Sequence, residues 1–390
     1  MNISYLQTAL ELAHHAIGLS SPNPRVGCVL VKDGQVIGQG HTQSVGQAHA
    51  EVVALRDAQQ REMDTVGATA YVTLEPCSHY GRTPPCAHAL ILARVAKVVV
   101  ACLDPNPQVA GQGVEKLRAA GIAVEVLLPE HELARAAYEL NIGFMTRMQY
   151  HRPFTRLKWA QSADGKTALP TGRSQWITGE AARQDGHLWR ARADVVVTGV
   201  GTVLHDDPQL NVRGVALVNQ PIQPIKCVVD AWAYTPVSAK LFNNGQVWLA
   251  CAEVAEDHPQ AGALAARLAL LEQAHPNLTV LRLPTVSVVR DGVQHERVDL
   301  HALWAHLAEH EFNEIHVEAG ATLNAALLED GLVDELLMYL APRVVGAGVP
   351  TAAFPTDAAL DDLTQAGAWR WHGVQMLGDD LRVMLRKRGV

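Results

Sequence analysis

Leu6, Leu10, Ala13 and Ile17 recur at helical spacing, so the chain predicts an amphipathic first helix, broken by Ser20-Ser21-Pro22-Asn23-Pro24. Asn23 is read there as a turn-former. The apolar run from Val26 to Val31, the pair Asp33-Gly34 and then Val36-Ile37 predict a hairpin on a tight turn. Beyond His49, Val52-Val53-Ala54-Leu55 opens a second helix, and Ala70-Tyr71-Val72-Thr73-Leu74 reads as a strand leading to Cys77. A helix from Cys86 to Ala96 precedes Lys97-Val98-Val99-Val100-Ala101, an almost continuous apolar strand of the kind buried in parallel sheets. A helix through Val114-Glu115-Lys116-Leu117, capped by Gly121, and the strand Val124-Glu125-Val126-Leu127 continue the alternation, which predicts a sheet layered with helices. Helical periodicity runs on through Leu140, Phe144 and Met148 until Tyr150-His151-Arg152-Pro153 interrupts it. We expect the domain boundary there, with domains over 1–149 and 150–390.

The second half again alternates. Strands are predicted at 154–160, 193–199, 226–230, 246–250 and 314–318. Helices are expected from Gly179-Glu180 to beyond Arg190 and from Ala321 to Leu328, with weaker periodicity around 263–271. A chain of 390 residues is long enough for two cores, and no apolar run approaches a membrane span. The start, Met1-Asn2-Ile3-Ser4-Tyr5, lacks a signal-peptide pattern, and with zinc-spaced thiols this leads us to expect a cytoplasmic protein without membrane partners. Cys28, Cys102, Cys227 and Cys251 sit in apolar runs and read as buried filler. A net charge of −8 with no basic tract argues against nucleic acid as a partner. It leaves room for a small phosphorylated ligand held by local arginines.

The chemistry centres on His49-Ala50-Glu51 and Glu75-Pro76-Cys77, with Cys86 beyond. One His and two thiolates hold Zn²⁺ and leave a fourth tetrahedral position for water, whose pKa the metal lowers to about 7. A carboxylate beside the metal then moves the water's proton to a departing amine, the role read for Glu51. Structural zinc, or thiols with no metal, are the alternatives. The eight residues between the cysteines depart from the usual Pro-Cys-x-x-Cys spacing. His49 and Glu51 are about 200° apart on an ideal helix, so they share a metal only from its first turn. In the second half, Gly199-Val200-Gly201 fits no full dinucleotide fingerprint and reads as a tight turn. Val317-Glu318-Ala319-Gly320 is better, because acid and glycine fall at a strand's carboxyl end. Arg190 and Arg213, taken together, suit a phosphate.

The run Thr73-Leu-Glu-Pro-Cys-Ser-His-Tyr-Gly-Arg-Thr-Pro-Pro-Cys86, with Pro22-Asn-Pro24 and Asp104-Pro-Asn-Pro-Gln-Val-Ala-Gly111, resembles the bifunctional riboflavin-biosynthesis deaminase–reductases, in which the long inter-cysteine loop is the family's own variant. Leu157 to Gly165, Ser174 to Thr178, Gly201 to Pro208 and Val317 to Gly320 are similar to that family's reductase half, so the resemblance covers nearly the whole chain. It implies a cytidine-deaminase-like three-layer domain followed by a dihydrofolate-reductase-like α/β domain. His49, Cys77 and Cys86 would be zinc ligands and Glu51 the proton donor. Ala160, Trp176, Thr202, Asp206 and the turn Gly320, Ala321, Thr322, Leu323, Asn324, Ala325 and Ala326 would contact NADPH. Ser174, Arg190, Leu210, Arg213 and Glu318 would contact substrate, with the arginines nearest its phosphate.

The implied reactions are hydrolytic deamination of 2,5-diamino-6-(5-phosphoribosylamino)pyrimidin-4-one and then hydride delivery to C1′, which opens the ribosyl group to ribityl. Lys158, Asp164 and Glu318 are the polar candidates for the proton that the ring oxygen needs. A homo-oligomer, dimer or tetramer, is expected. The competing readings are a nucleic-acid deaminase, which the charge disfavours, and a deaminase whose C-terminal half only binds a nucleotide.

Overall fold

The computed structural model describes residues 3–78, 84–106, 109–174, 176–219, 221–290, 292–354 and 369–389. Residues 79–83 and 107–108, with Gln175, belong to motifs read above and lie outside the described residues. The chain divides into two compact units, Met1–Arg152 with Ala216–Ile222, and Pro153–Val215 with Gln223–Val390. The short excursion into the first unit is tied down within it: Ile222 N donates to Gly18 O at 2.8 Å and Asn219 Nδ2 to His15 O at 3.0 Å.

The first unit runs α1 (Ile3–His14), β1 (Gly27–Lys32), β2 (Gln35–His41), α2 (Ala50–Gln60), β3 (Thr69–Val72), α3 (Cys86–Leu92), β4 (Lys97–Val100), α4 (Gln112–Ala119), β5 (Ala123–Val126), α5 (Glu132–Leu140) and α6 (Ile142–Tyr150). Asp33 and Gly34 close the β1–β2 hairpin with φ of 51° and 78°, the left-handed pair that matches strand twist. The sheet order is β2-β1-β3-β4-β5, antiparallel up to β3 and parallel beyond. Period-two alternation builds two cores. Cys28, Leu30, Val98 and Val100 pack on Ala50 and Ala54 of α2 and Leu90 of α3. Val29, Val31, Tyr71 and Val99 pack on Leu6 and Ala9 of α1 and Leu133 and Ala137 of α5. A helical layer therefore covers each face.

Two helix ends differ from the periodicity. The stretch read through Leu140, Phe144 and Met148 breaks at Asn141, whose amide donates to Arg25 O at 2.9 Å and accepts from Arg25 N at 2.7 Å. Helix α3 stops at Leu92 rather than Ala96, because Arg94 turns left-handed at φ 54°. All six cysteines are free thiols, with Cys28, Cys227 and Cys251 buried and Cys102 part-buried. Among the described residues no helix is long and apolar enough to cross a membrane.

The second unit runs β6 (Phe154–Ser162), β7 (Lys166–Ala168), α7 (Glu180–Arg192), β8 (Val195–Gly199), α8 (Val200–Asp206), β9 (Ile225–Val229), β10 (Val247–Ala252), α9 (Ala261–Ala274), β11 (Leu278–Leu283), β12 (Thr285–Arg290), β13 (Val293–Val298), α10 (Leu300–Glu309), β14 (Glu314–Glu318), α11 (Ala321–Glu329), β15 (Glu335–Ala341), β16 (Val349–Pro350), β17 (Trp369–Leu377) and β18 (Asp380–Lys387). Nine strands form one sheet in the order β11-β10-β9-β8-β14-β6-β15-β18-β17. It is parallel from β11 to β15, and β18 and β17 close it antiparallel. On one face Leu157, Val195, Val197, Ile315 and Val317 share a core with Leu303 and Leu307 of α10 and Leu327 of α11.

The other face, under α7, is charged at its centre. Arg156 on β6 is 1% exposed and donates to Glu314 on β14 at 2.8 Å and to Glu335 on β15 at 2.5 Å. Arg386 from β18 binds the second oxygen of Glu335, and Arg192 from α7 binds Glu314 at 3.2 Å. Removing one member of such a buried group leaves the others unpaired, at a cost of about 3–5 kcal/mol. All eight tryptophans lie between 159 and 371, so tryptophan fluorescence reports the second unit alone. We expect Arg156→Leu to lower the urea midpoint of that signal by the equivalent of about 3–5 kcal/mol; an unchanged midpoint would show that the network contributes no net stability.

Candidate active sites

Helix α2 begins one residue after His49, which is its N-cap, and Glu51 lies in the first turn. That arrangement meets the geometric demand set by their angular separation. Helix α3 begins at Cys86, whose backbone N–H donates to Cys77 Sγ at 3.2 Å, so a helix N-terminus faces the first thiol. His49 Nδ1 lies 3.4 Å from Cys86 Sγ and 3.7 Å from Cys77 Sγ. All three donor atoms fall within 4.8 Å of one another. Zn–S bonds of about 2.3 Å and Zn–N bonds of about 2.0 Å make a tetrahedral S···N edge of about 3.6 Å. The donor set and its spacing therefore fit zinc.

Electrostatics support the same use. Hydrogen bonds from Cys86 and then from His49 hold the Cys77 thiol down at about 4. The donating Cys86 thiol is pushed up by that bond and by burial. Glu51 is 3% exposed, and burial, helped by the Cys77 thiolate, raises its carboxyl to about 7. A carboxyl that changes protonation near neutrality is suited to passing a proton.

Glu75, in the same motif, has a different task. Its carboxylate accepts backbone N–H bonds from Gly111 at 3.0 Å, Val114 at 3.1 Å and Asp104 at 3.3 Å. This anchors Asp104, Gly111 and the start of α4 beside the Glu75-Pro76-Cys77 stretch. The approach is close enough that a Cβ on Gly113 would stand 2.0 Å from Pro76 O.

In the second unit, sheet register sets Glu318 of β14 beside Lys158 of β6. Arg190 of α7 donates through Nε and Nη2, both at 2.7 Å, to Glu318 Oε1, and Lys158 Nζ is 3.5 Å from Oε2. Burial alone would raise this carboxyl, but Arg190 and then Lys158 hold it well below the usual range. Arg190 Nη1 also donates to Asn211 O at 2.5 Å, while Arg213 Nη1 donates to Asn211 Oδ1 at 2.8 Å. One asparagine thus ties both arginines together, with Arg190 committed to Glu318 and Arg213 exposed. Leu210 is buried with a left-handed φ of 50°, a conformation that costs a branched residue about 1–2 kcal/mol.

Gly199-Val200-Gly201, expected as a tight turn, is instead the start of α8, with Gly199 as N-cap. Two helix starts stand close together: a Cβ on Gly320, the N-cap of α11, would lie in ordinary contact with Thr202 Oγ1 at 3.6 Å, and one on Gly199 with Leu323 at 3.5 Å. Ser174 Oγ donates to Asp206 Oδ1 at 3.4 Å. Ala321 and Leu323 are part-buried and Thr322 exposed, whereas Asn324, Ala325 and Ala326 are buried. Asn324 Nδ2 donates to Thr351 O at 2.7 Å, and its Oδ1 is buried without a partner among the described residues. Trp176 is exposed beneath the Arg183 guanidinium, and Ala160 packs near Tyr339 and Trp189.

Sequence reading singles out neither Glu75 for its anchoring task, nor Asn211, nor His187, whose Nδ1 lies 3.3 Å from Arg190 Nη1. The available signals were position alone: Asn211 sits between Leu210 and Arg213, and His187 one helical turn before Arg190.

Residues 2–102 match the cytidine and deoxycytidylate deaminase zinc-binding region, and residues 153–376 match the RibD C-terminal domain. Riboflavin biosynthesis protein RibD of Escherichia coli (strain K12) is 40% identical over 389 residues, 97% of each chain, and that of Aquifex aeolicus is 37% identical over 385 residues, 98% of each. Among solved structures, Acinetobacter baumannii RibD, form 1, is similar with a TM-score of 0.79 at 41% identity, covering 98% of each chain. A Thermotoga maritima diaminohydroxyphosphoribosylaminopyrimidine deaminase/5-amino-6-(5-phosphoribosylamino)uracil reductase gives the same TM-score at 29% identity and the same coverage. The first unit is accordingly cytidine-deaminase-like and the second dihydrofolate-reductase-like. With both halves matched over nearly their full length, the chain belongs to the RibD family and is a bifunctional deaminase and reductase of riboflavin biosynthesis.

Proposed function

We propose that the first unit deaminates 2,5-diamino-6-(5-phosphoribosylamino)pyrimidin-4-one with zinc held by His49, Cys77 and Cys86, and that the second reduces the product with NADPH. The observation carrying the first half is the convergence of one imidazole and two thiols at zinc-ligand spacing with Glu51 buried next to them. Zinc, when bound there, supplies the Lewis acidity that makes water a nucleophile at neutral pH. Glu51 accepts the water's proton and returns it to the departing amine, so that water is consumed and ammonia released.

For the second half, NADPH when bound is the source of two electrons, as hydride, for C1′. Thr202, Asp206 and the Gly320–Ala326 turn, in which Asn324 Oδ1 is buried without a partner among the described residues, are the groups we assign to holding it. Ala160 and Trp176 are assigned to the same cofactor, and Ser174, Leu210 and Glu318 to the substrate. Reduction at C1′ breaks its bond to O4′, and the freed oxygen takes a proton. Ser162 Oγ and the backbone N–H groups of Val345 and Gly346 hold Asp164 at about 2, and Glu318 is held as an anion too. Of the three candidates Lys158 is the one whose side chain is a hydrogen-bond donor with no acceptor, and we assign it as the proton donor. Arg213, with Arg190 behind it, is the positive end suited to the 5′-phosphate.

Glu51→Gln should retain zinc yet lose deamination by about 10²-fold or more while reduction of supplied 5-amino-6-(5-phosphoribosylamino)uracil persists. Metal analysis with ammonia release checks this, and an active variant would remove Glu51 from the mechanism. Arg213→Ala should raise the KM for that substrate about tenfold or more and spare deamination. Loss of both activities would contradict two independent sites. Ammonia release and NADPH oxidation followed together should show the second signal lagging and depending on the first. Ammonia alone would reduce the C-terminal half to a nucleotide-binding module.

Burial, and then Arg190 and Arg213, push the His187 imidazole down to about 4. An unfolded histidine titrates near about 6.5. Between these values the unfolded chain binds a proton that the folded chain refuses, so stability falls as the pH drops through that window. For a part-exposed ring we expect about 1–2 kcal/mol after screening. His187→Gln should flatten that part of the tryptophan-monitored stability profile; an unchanged slope would exclude His187 as its source.

A further inference from the structure

Tyr339 plays no part in the reaction as described, yet it is 1% exposed and fixed from several sides. It stands on β15 two residues beyond Leu337, the register partner of Lys158, so its side chain lies on the same sheet face as the lysine. Its hydroxyl donates to Asp185 Oδ2 of α7 at 2.6 Å. Trp189 Nε1 donates to the same oxygen at 3.1 Å, and Arg382 Nη1 from β18 donates to Oδ1 at 2.8 Å. The carboxylate is thereby held by three donors from three elements, and the phenol is held by the carboxylate. The Lys158 ammonium lies 5.9 Å from the centre of the Tyr339 ring and 3.5 Å from Glu318.

A lysine ammonium rides on four rotatable bonds, and a proton donor is effective only when it is held at the receiving atom. An aromatic face within about 6 Å attracts the cation without accepting its proton, and so restrains it in the form that can donate. Packing alone would not call for the hydroxyl, because phenylalanine fills the same space among Ala182, Leu337 and Met384. Nor is the phenol a second donor: its proton is directed at Asp185, and burial with that carboxylate raises its pKa.

We propose that Tyr339, locked by Asp185, is a positioning residue of the reductase, its ring restraining the Lys158 ammonium beside Glu318. This rests on the assignment of Lys158 as proton donor. The test is a double-mutant cycle on the full-length, zinc-loaded chain, following NADPH oxidation with 5-amino-6-(5-phosphoribosylamino)uracil, with deamination measured in parallel. Tyr339→Phe removes the anchoring hydroxyl but keeps the volume. It should lower the reductase kcat about tenfold, leave the KM for NADPH unchanged, and add no further loss in a Lys158→Gln background. Asp185→Asn, which weakens the same anchor from the other end, should repeat this pattern. Wild-type kcat in both single variants, or an equal fold-loss with and without Lys158, would overturn the positioning role. If Lys158→Gln by itself kept wild-type kcat, the donor assignment would fall first and the proposal with it.

Discussion

A guanidinium sealed from water is tolerable only if carboxylates meet it, and Arg156 imposes that condition on the second unit. Glu314 and Glu335 come from the strands on either side of β6, so the ion group fixes the order β14-β6-β15 as well as neutralising its centre. The consequence travels along the strand. Arg156 and Lys158 are two residues apart and share a face, and the register that delivers Glu314 to the first brings Glu318 beside the second. A slip of one residue would turn the whole row to the other face. The acid, the lysine and the buried tyrosine are thus arranged by the same constraint that holds the sheet.

The first unit solves a similar problem by another means. A histidine, a glutamate and two cysteines from three segments converge there, and helix starts do most of the assembly. His49 caps one helix and Cys86 opens another, while Glu75 draws the loop before a third onto the same strand end. Glu51 and Glu75 are both buried carboxyls near that cluster, but their surroundings differ. Glu75 has backbone N–H groups to accept from and serves as an anchor, whereas Glu51, equally buried, sits against the Cys77 thiolate with its carboxyl raised to about 7.

Much of this was legible in the sequence, and the gaps have physical causes. Continuous apolar runs such as Val98–Val100 and Val195–Val197 mark strands that are buried on both faces, and such strands are hard to misread. The convergence of His49, Cys77 and Cys86 was legible because zinc chemistry restricts both residue type and spacing. Strands β17 and β18 were not anticipated. The first exposes Trp371, Val374 and Met376 at a sheet edge, and Arg386 on the second is a buried charge, so neither shows a clean apolar stripe. The break at Asn141 depends on Arg25, more than a hundred residues away, and no local pattern encodes it. Asn211 is similar: an asparagine in a loop gains meaning only when Arg190 from α7 arrives on it beside its neighbour Arg213.

The excursion of residues 216–222 bears on how separable the two catalysts are. The family architecture invites a division at the single crossing near residue 152, yet the chain returns to the first unit and leaves again before β9 begins. A deaminase half cut at that crossing would lack the segment that bonds to His15 and Gly18, and the matching reductase half would carry that segment without those two bonds. The two activities are chemically distinct, but the polypeptide that carries them is interleaved rather than beaded, and a clean modular swap would require three breaks instead of one.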